Sequence, residues 1–228
     1  MQVNNGNLYW KNKSKINKIY PYLTHDIKAD VLVIGGGIAG ALTTYFLAKE
    51  GANVVTVEKN IIGFGNTIAD TAALEYQLES EMSKLEKSIG RKDATRIYKL
   101  CLDSISKIEN INKEFKAPTG FLRQDNIYFT NKFMQRGAVA KEFDKRKDSG
   151  FDAVYIDSHS LVNLNSGIVT KNASAIMNPY SFTQGLFEYL DTMDNVKIFE
   201  NTKIDDIKCR IDEVECKTHN NFRITSDK

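Results

Sequence analysis

Residues 31–59 limit the possible folds of this chain more than any other stretch. They read VLVIGGGIAGALTTYFLAKEGANVVTVEK: an apolar run, three adjacent glycines, apolar residues at helical spacing, and a second apolar run. Short continuous apolar runs predict strands that are buried on both faces of a parallel sheet. The stretch therefore predicts a strand–helix–strand unit, in which Gly51 marks the end of the helix.

The glycines of this unit have the spacing of a dinucleotide-binding loop. Gly35, Gly37 and Gly40 fit the pattern G-x-G-x-x-G, and Glu58 follows Gly35 by 23 positions, at the end of the second predicted strand. In such a loop the first glycine permits a tight turn and the second lets a pyrophosphate approach the backbone. The third glycine allows the helix to pack closely against the strand.

The first helical turn and the acidic residue complete the predicted nucleotide site. The backbone amides of Ile38 and Ala39, at the positive end of the helix, would face the phosphates. Glu58 would accept hydrogen bonds from a ribose diol, and its charge would repel a 2′-phosphate, which disfavours the phosphorylated nicotinamide cofactor. The alternative is a strand–helix–strand unit that binds no nucleotide, and the registered spacing of all these parts makes it the weaker one.

Composition and charge argue against several other functions. The chain has 228 residues, and its 31 basic and 29 acidic side chains are interspersed, so no nucleic-acid partner is predicted. Glycines and threonines interrupt the apolar stretch 31–48, so no membrane span is predicted. Three cysteines without a C-x-x-C pair, and a start without a signal-peptide core, favour a cytoplasmic protein. None of the three histidines has a partner at metal-ligand spacing, so no metal site is predicted.

Three motifs resemble those of a flavoprotein family. The glycine stretch fits its pattern G-x-G-x-x-G-x-x-x-[GA]-x-x-x-x-x-x-G-x-x-V-x-x-x-E, except that the larger Thr44 occupies the small-residue position and is expected to loosen helix–sheet packing slightly. Residues 178–186, NPYSFTQGL, resemble the family element [DN]-P-Y-x-[FL]-T-x-x-L, and residues 196–204, VKIFENTKI, resemble its strand V-x-I-x-E-N-T-x-V. On these motifs the chain is similar to the D-amino acid oxidase and glycine oxidase superfamily of FAD-dependent oxidoreductases.

The resemblance implies a set of further contacts with FAD. By position in the sequence, the residues after the second strand that would line the cofactor are Lys59, Asn66, Thr67, Thr71, Ala72 and Ala73. The last three of these would lie nearer the flavin ring. The backbone of Ile204 would meet the adenine. A plain loop without a ligand is the alternative interpretation of this segment.

The resemblance also implies the fold class and the division into domains. The expected fold is α/β, with a Rossmann-like FAD-binding domain and an inserted α+β substrate domain, truncated at the C-terminus. The expected boundaries are an N-terminal arm over 1–29, an FAD-binding domain over 30–118 and 178–228, and part of a substrate domain over 119–177. Within the last of these, the pattern predicts short strands at 168–169 and 175–177 and a short helix at 158–163.

The expected function is FAD-dependent oxidation of an amine or amino acid by hydride transfer to flavin. In the resembling family further strands and a second flavin-contacting segment follow, so this sequence is expected to be an N-terminal part of a longer protein. No catalytic residue is assigned. The expected partners are the small-molecule substrate and either a C-terminal companion polypeptide or a second copy. Two alternatives stay open, an NAD-dependent dehydrogenase and a non-catalytic cofactor-binding fragment that needs a partner.

Overall fold

The computed structural model describes residues 8–15, 18–157, 159 and 163–227. The helices of this part are α1 (Tyr9–Lys13), α2 (Ile38–Lys49), α3 (Met82–Ile89), α4 (Arg91–Glu114), α5 (Arg136–Asp148) and α6 (Pro179–Leu190). Its strands are β1 (Ile27–Ala29), β2 (Val31–Ile34), β3 (Val54–Val57), β4 (Ala73–Glu75), β5 (Leu122–Thr130), β6 (Ala153–Ile156), β7 (Ser166–Ile176), β8 (Val196–Phe199), β9 (Ile204–Cys209), β10 (Val214–Thr218) and β11 (Arg223–Ser226). Short 3₁₀ helices span Asn66–Ala69 and Phe133–Gln135. No helix in these described ranges has both the length and the apolar character needed to cross a membrane.

The chain separates into two compact units. The first unit comprises Met1–Thr71, Glu114–Thr119 and Asn178–Lys228, and the second comprises Ala72–Lys113 and Gly120–Met177. This division differs from the boundaries expected from the sequence, which grouped residues 72–113 with the first unit. The physical reason is that the apolar stripes of α3 and α4 pack against β7, in one cluster with Ala173 and Ala175.

The first unit is layered around a parallel sheet of three strands in the order β2–β3–β8. Helices α2 and α6 pack together, and α2 also contacts β2 and β3. A second sheet, in the order β1–β11–β10–β9, contributes to a cluster with the parallel sheet that includes Val55, Val57, Phe199 and Ile224. The predicted strand–helix–strand unit is therefore present, and the core of this unit lies on both sides of β3.

The two predicted strands of that unit differ in burial. Strand β3 is buried along its whole length, as a central parallel strand should be. Strand β2 is only partly buried, and the Ile34 side chain is 52% exposed. In the described part of the chain β2 pairs with β3 alone, so it lies at an edge of the sheet. The expectation of burial on both faces is therefore correct for β3 and wrong for β2.

Thr44 does not leave an unsatisfied polar group between α2 and the sheet. Its hydroxyl oxygen lies 2.7 Å from that of Thr56 on β3, and both side chains are fully buried. One hydroxyl donates and the other accepts, so neither buried side chain lacks a hydrogen-bond partner. The larger residue at the family's small-residue position is therefore matched by a polar partner on the strand below.

The second unit has an antiparallel sheet in the order β4–β7–β5, with β6 also paired to β7. The short strands predicted at 168–169 and 175–177 are largely one long strand, β7, in which Asn172 has φ +50°. Tyr98 and Ile105 of α4 pack with Phe151 in the main core cluster. A smaller cluster places Val139 of α5 against β6 and β7. The short helix predicted at 158–163 lies largely outside the described residues.

Candidate dinucleotide site

The turn that follows β2 is shaped by two glycines. Gly35 has φ +117°, in the left-handed region that favours glycine, and its amide donates to the Val57 carbonyl at 2.8 Å. A Cβ atom on Gly35 would meet no atom within 4 Å, so the outer side of the turn is open. A Cβ atom on Gly40 would lie 1.9 Å from the Gly35 carbonyl oxygen. The helix can therefore approach the turn this closely only because residue 40 is glycine.

Gly36, which occupies a variable position of the motif, is also required by packing. A Cβ atom there would lie 2.4 Å from Ile62 Cδ1 and 2.9 Å from Glu58 Cβ. The pattern G-x-G-x-x-G does not single out this residue, because any residue type is allowed at its position. The signal was present in the run of three adjacent glycines, but the neighbour that excludes a side chain comes from a loop 26 positions further along the chain.

The N-terminus of α2 carries the donors that a phosphate would need. Helix α2 begins at Ile38, and the Ile38 amide donates to the Thr67 hydroxyl at 3.0 Å. The amides of Ala39 and Gly40 belong to the first turn of the helix. They have no acceptor within the helix, because the residues four positions earlier precede it. Together with the helix dipole they make this end electropositive. Thr67 lies at the edge of the same site, since a Cβ atom on Gly37 would be only 3.2 Å from its hydroxyl oxygen.

Glu58 is held at the carboxyl end of β3 by two backbone amides. Its Oε2 accepts from the Gly36 amide at 2.8 Å, and its Oε1 accepts from the Asn60 amide at 2.8 Å. An ionised carboxylate offers about four acceptor positions, so two amides leave acceptor capacity for a diol. The carboxylate is thus oriented by the glycine turn and is half-buried beside it.

A cavity of about 290 Å³ opens beside Glu58. It is lined by Ile34, Gly35, Val57, Glu58, Lys59, Thr202, Lys203 and Ile204. The exposed side chain of Ile34, an edge-strand residue, forms part of its apolar wall together with Val57 and Ile204. A flat aromatic base could stack on such a wall while its sugar reached the carboxylate.

The structure brings most of the predicted site residues together at the carboxyl ends of β2 and β3. These residues are Gly35, Gly37, Ile38, Ala39, Gly40, Glu58, Lys59, Thr67 and Ile204. Asn66 adjoins Thr67 in the same 3₁₀ helix and is exposed. Thr71 is exposed in the first unit, whereas Ala72 is buried in the second and has φ +71°. The approach of Thr71, Ala72 and Ala73 to a flavin ring therefore stays a prediction.

A buried carboxylate supports the loop after Glu58. Glu200 has no solvent exposure, and its two oxygens accept from the amides of Ile62 and Tyr20 at 2.8 and 3.1 Å. Gln184 of α6 donates to the Ile62 carbonyl at 2.7 Å. Glu200 and Gln184 lie within the motifs that carry the family resemblance, but their buried partners come from segments more than 120 positions away.

The same loop packs on an aromatic ring of α6. Gly63 has φ +77°, and a Cβ atom there would lie 2.8 Å from the ring of Tyr180. Burial raises the pKa of Tyr180 to about 12, with a further contribution from the negative charge of Glu200. The neutral phenol therefore belongs to the folded state over the ordinary pH range.

Over the described ranges, no three His, Cys, Asp or Glu side chains are grouped so that they could hold a metal ion.

The sequence matches the family model "DAO: FAD dependent oxidoreductase" over residues 30–226. Among curated proteins it is similar to YhfW of Bacillus subtilis, a protein named for a Rieske 2Fe-2S iron–sulfur centre. The two are 27% identical over 201 residues, which is 88% of this chain and 39% of YhfW. The chain therefore spans less than half the length of this relative.

Solved structures share the fold. An L-amino acid deaminase from Proteus myxofaciens superimposes with a TM-score of 0.72 at 17% identity, covering 93% of this chain and 46% of the deaminase. Glycine oxidase from Geobacillus kaustophilus gives a TM-score of 0.69 at 18% identity, covering 90% of this chain and 54% of the oxidase. At such identities the structures show the α/β fold alone, whereas the family model covers most of the sequence. The chain belongs to the DAO family of FAD-dependent oxidoreductases, whose cofactor is FAD.

Proposed function

We propose that this chain binds the adenosine diphosphate part of FAD at the glycine loop and serves an FAD-dependent oxidation of an amine or amino acid. One observation carries the proposal. The amides that begin α2, the carboxylate of Glu58 and the apolar cavity at Ile204 meet at one edge of the parallel sheet. Ligands of open parallel sheets bind at this carboxyl edge.

The residues present fit the adenosine diphosphate part of FAD. The open turn at Gly35 and the electropositive first turn of α2 suit a pyrophosphate. Glu58 suits the ribose diol, since its fixed carboxylate retains acceptor positions. The apolar wall at Ile34 and Ile204 suits the adenine. With FAD as the cofactor of the family, no observation favours the NAD-dependent alternative.

In this proposal the chain contributes binding and orientation. When bound, FAD supplies the hydride acceptor. The α2 amides bind the negatively charged diphosphate, and Glu58 binds the ribose diol and so orients the adenosine. Glu200 and Gln184 keep the loop at Ile62 in place behind Glu58. Thr71 and Ala72 are proposed to lie toward the flavin ring, on the strength of the family resemblance alone.

The proposed substrate class is an amine or amino acid. Support comes from the family and from the fold shared with proteins titled glycine oxidase and L-amino acid deaminase. Because the chain covers only 39–54% of the relatives compared above, we propose that turnover requires further polypeptide, in the same protein or as a companion chain. A cytoplasmic location is proposed because Cys101, Cys209 and Cys216 are all free thiols.

Calorimetric titration with FAD tests the binding site. Gly37→Val should weaken binding by more than about tenfold, since it crowds the phosphate edge. Glu58→Gln should weaken it by roughly tenfold or more, as expected when a charge-assisted hydrogen bond is lost. The matched controls are Gly137→Val on α5, where a Cβ atom has open space, and Glu50→Gln beyond the far end of α2. Wild-type affinity in both site variants would overturn the assignment of the site.

Peroxide release tests the proposed division of labour. The 228-residue chain with FAD should release no peroxide above background from a panel of amines and amino acids. Adding the remaining polypeptide of a full-length homologue, in one chain or in two, should restore release. A misplacement of about 1 Å costs on the order of 10²-fold in rate, so a flavin ring held from one end only should be inactive. Clear turnover by the 228-residue chain alone would contradict this proposal.

A further inference from the structure

The N-terminal segment formed by residues 8–15 and 18–23, called the arm below, contacts the loop that carries Thr67. The indole Nε1 of Trp10 donates to the Asp70 carbonyl at 2.8 Å. The Lys11 ammonium lies 5.7 Å from the centre of the Phe64 ring. Residues 64–70, called the clamp segment below, are thus contacted near both of their ends by α1, and Thr67 lies between these two contacts.

The arm is itself fixed to the rest of the first unit. The Ser14 hydroxyl accepts from the Asn178 side-chain amide at 2.7 Å and lies 2.9 Å from the Ser181 hydroxyl. Asn178 is the N-cap of α6, where its Oδ1 accepts from the Ser181 amide. Further along, the Leu23 amide donates to the Thr202 hydroxyl at 3.1 Å. The arm therefore has two anchor points, both C-terminal to its contacts with the clamp segment, and can restrain that segment.

The clamp segment also contacts the N-terminus of α2, where the diphosphate is proposed to bind. Thr67 accepts from the Ile38 amide at 3.0 Å and is buried. A hydroxyl that accepts one hydrogen bond keeps its own proton for donation. Thr67 can therefore accept from the first helical amide and donate to an anion at the helix end. Its position depends on the clamp segment, and the clamp segment is tied to Trp10.

We propose that Trp10 is a positioning residue for the diphosphate of FAD, acting through Thr67. This inference rests on the proposed function of the glycine loop. Without the indole hydrogen bond the clamp segment loses its contact with the arm at Asp70, and the Thr67 hydroxyl is less well placed for a phosphate oxygen. The adenosine-binding parts, Glu58 and Ile204, have no contact with Trp10 among the interactions described. The effect should therefore be confined to ligands that carry phosphate.

The test compares three ligands on the 228-residue chain. FAD, ADP and adenosine are titrated into the wild type, Trp10→Phe, Thr67→Val and the double variant. Trp10→Phe keeps an aromatic ring but removes the N–H donor. It should weaken ADP and FAD by about three- to tenfold, the equivalent of one hydrogen bond, and leave adenosine unchanged. In the Thr67→Val background the same change should alter ADP affinity by less than about twofold, because the group through which Trp10 acts is gone.

Two further variants keep the test decisive. Tyr22→Phe removes an exposed hydroxyl from the same arm and should leave all three affinities unchanged. Ser14→Ala releases the arm at α6 without touching the clamp segment, and should weaken ADP by a smaller factor than Trp10→Phe. Trp10 is the only tryptophan of the chain, so in Tyr22→Phe and Ser14→Ala its emission reports whether the arm stays in place.

The possible results separate this inference from the proposed function. If the wild type binds none of the ligands, the proposed function fails. If the wild type binds ADP and Trp10→Phe binds it equally well, the positioning role fails while the proposed function stands. Equal losses for ADP and adenosine, or additive losses in the double variant, would show a general structural role for Trp10 and would also overturn the inference. Should Trp10→Phe fail to fold, an unchanged ADP affinity in Ser14→Ala would overturn it, and a selective loss of ADP affinity there would support it.

Discussion

The two units each bury a glutamate, and they satisfy its charge differently. Glu200 in the first unit and Glu142 in the second are both at most 1% exposed. Each accepts hydrogen bonds from two backbone amides: Glu200 from Ile62 and Tyr20, and Glu142 from Met82 and Ser83 at 3.0 and 2.8 Å. Only Glu142 also has an ion-pair partner among the described side chains, namely Arg146 at 3.0 Å on the same helix.

Arg146 is the centre of a buried polar cluster. It has no solvent exposure, and besides Glu142 it donates to the Tyr76 hydroxyl at 2.7 Å and to Gln77 at 3.0 Å. The rings of Tyr98 and Tyr128 lie 5.9 and 5.2 Å from its guanidinium carbon. A guanidinium has five donors in a rigid fork, so such a cluster can hold the start of α3, α5 and the segment after β4 in one arrangement.

The two buried carboxylates have different structural roles. In the second unit a paired charge links helices and sheet within a core, and removing one partner leaves the other buried without compensation. In the first unit the partners of the carboxylate, within the part of the chain that the structure describes, are two backbone amides, so it fixes the course of a loop. That loop leads from Glu58 through Ile62 to Thr67, along the proposed FAD site.

The largest effect is expected from Glu142→Gln. The neutral amide leaves the buried charge of Arg146 without its ion-pair partner, and the free energy of unfolding should fall by about 3–5 kcal/mol. Urea unfolding of the variant beside the wild type measures this loss. Replacing Arg146 by Met in the same chain should restore part of the stability, whereas Arg136→Met on the exposed part of α5 should have little effect. A loss below 1 kcal/mol for Glu142→Gln would remove the distinction between the two glutamates.

The same substitution at Glu200 should cost less. Glu200→Gln leaves no cation unpaired, but its NH₂ group must face one of the two backbone amides. The expected loss of unfolding free energy is about 1–3 kcal/mol. FAD affinity should fall in Glu200→Gln and stay unchanged in Glu142→Gln, provided both are measured well below their unfolding transitions. The reverse pattern of FAD affinities would show that Glu200 does not support the site.

The hydroxyl pair of Thr44 on α2 and Thr56 on β3 should have a smaller effect on stability, which a double-variant cycle can measure. Thr44→Val should cost about 1–2 kcal/mol, because it leaves the buried Thr56 hydroxyl without its partner. Adding Thr56→Val should recover most of this loss, since both polar groups are then replaced by apolar groups of similar shape. Thermal unfolding of the two single variants and the double variant completes the cycle. Additive losses would mean that the hydroxyls do not act as a pair.

The smallest effect is expected in the pH dependence of stability. Burial, and then the charge of Glu200, raise the pKa of Tyr180 to about 12, so the folded state holds the phenol proton more tightly than the unfolded state. The contribution of this proton to stability is complete below about pH 10 and is lost as the pH rises toward 12. Tyr180→Phe should therefore flatten the fall in melting temperature between about pH 10 and pH 12. An identical slope in wild type and variant would contradict this assignment.

Tyr128 provides the matched control for that measurement in the second unit. Burial and its hydrogen bond to Glu81 raise the pKa of Tyr128 to about 12 as well. Tyr128→Phe should flatten the alkaline fall in the same direction, although Glu200 has no part in it. In a Glu200→Gln background Tyr180→Phe should have a reduced effect, whereas Tyr128→Phe should keep its full effect.

Local features of the sequence predicted the glycine turn and the strand that ends at Glu58 better than the segments that pack behind them. The spacing of Gly35, Gly37 and Gly40 is set by the turn itself, and Glu58 follows at the end of a strand, so both could be read from a short stretch. The exposure of Ile34 could not, because it depends on which strands flank β2. The partners of Gly36 and Thr44 were missed for the same reason, since each lies on another segment that folding brings into contact.

The packing of the second unit could not be predicted from the sequence for a related reason. Helices α3 and α4 have clear apolar stripes, but a stripe does not state which sheet it will cover. The Arg146 cluster joins residues from four separate segments, namely residues 76–77, α4, β5 and α5. A lysine- and arginine-rich helix such as α5 usually indicates a solvated surface. Fold class and cofactor came from motifs that span most of the chain, whereas interior ion pairs leave no periodic signal.

Backbone amide NMR with FAD tests the assignment of the FAD site to the glycine loop, because it shows where the ligand binds. Titration of the 228-residue chain should shift the amide resonances of Gly35, Gly37, Ala39, Lys59 and Ile204. The amides that line the separate cavity of the second unit, among them those of Ser83 and Thr130, should not move. Shifts confined to that second cavity, or no shifts at FAD concentrations that saturate a related holoenzyme, would contradict the assignment of the FAD site to the glycine loop.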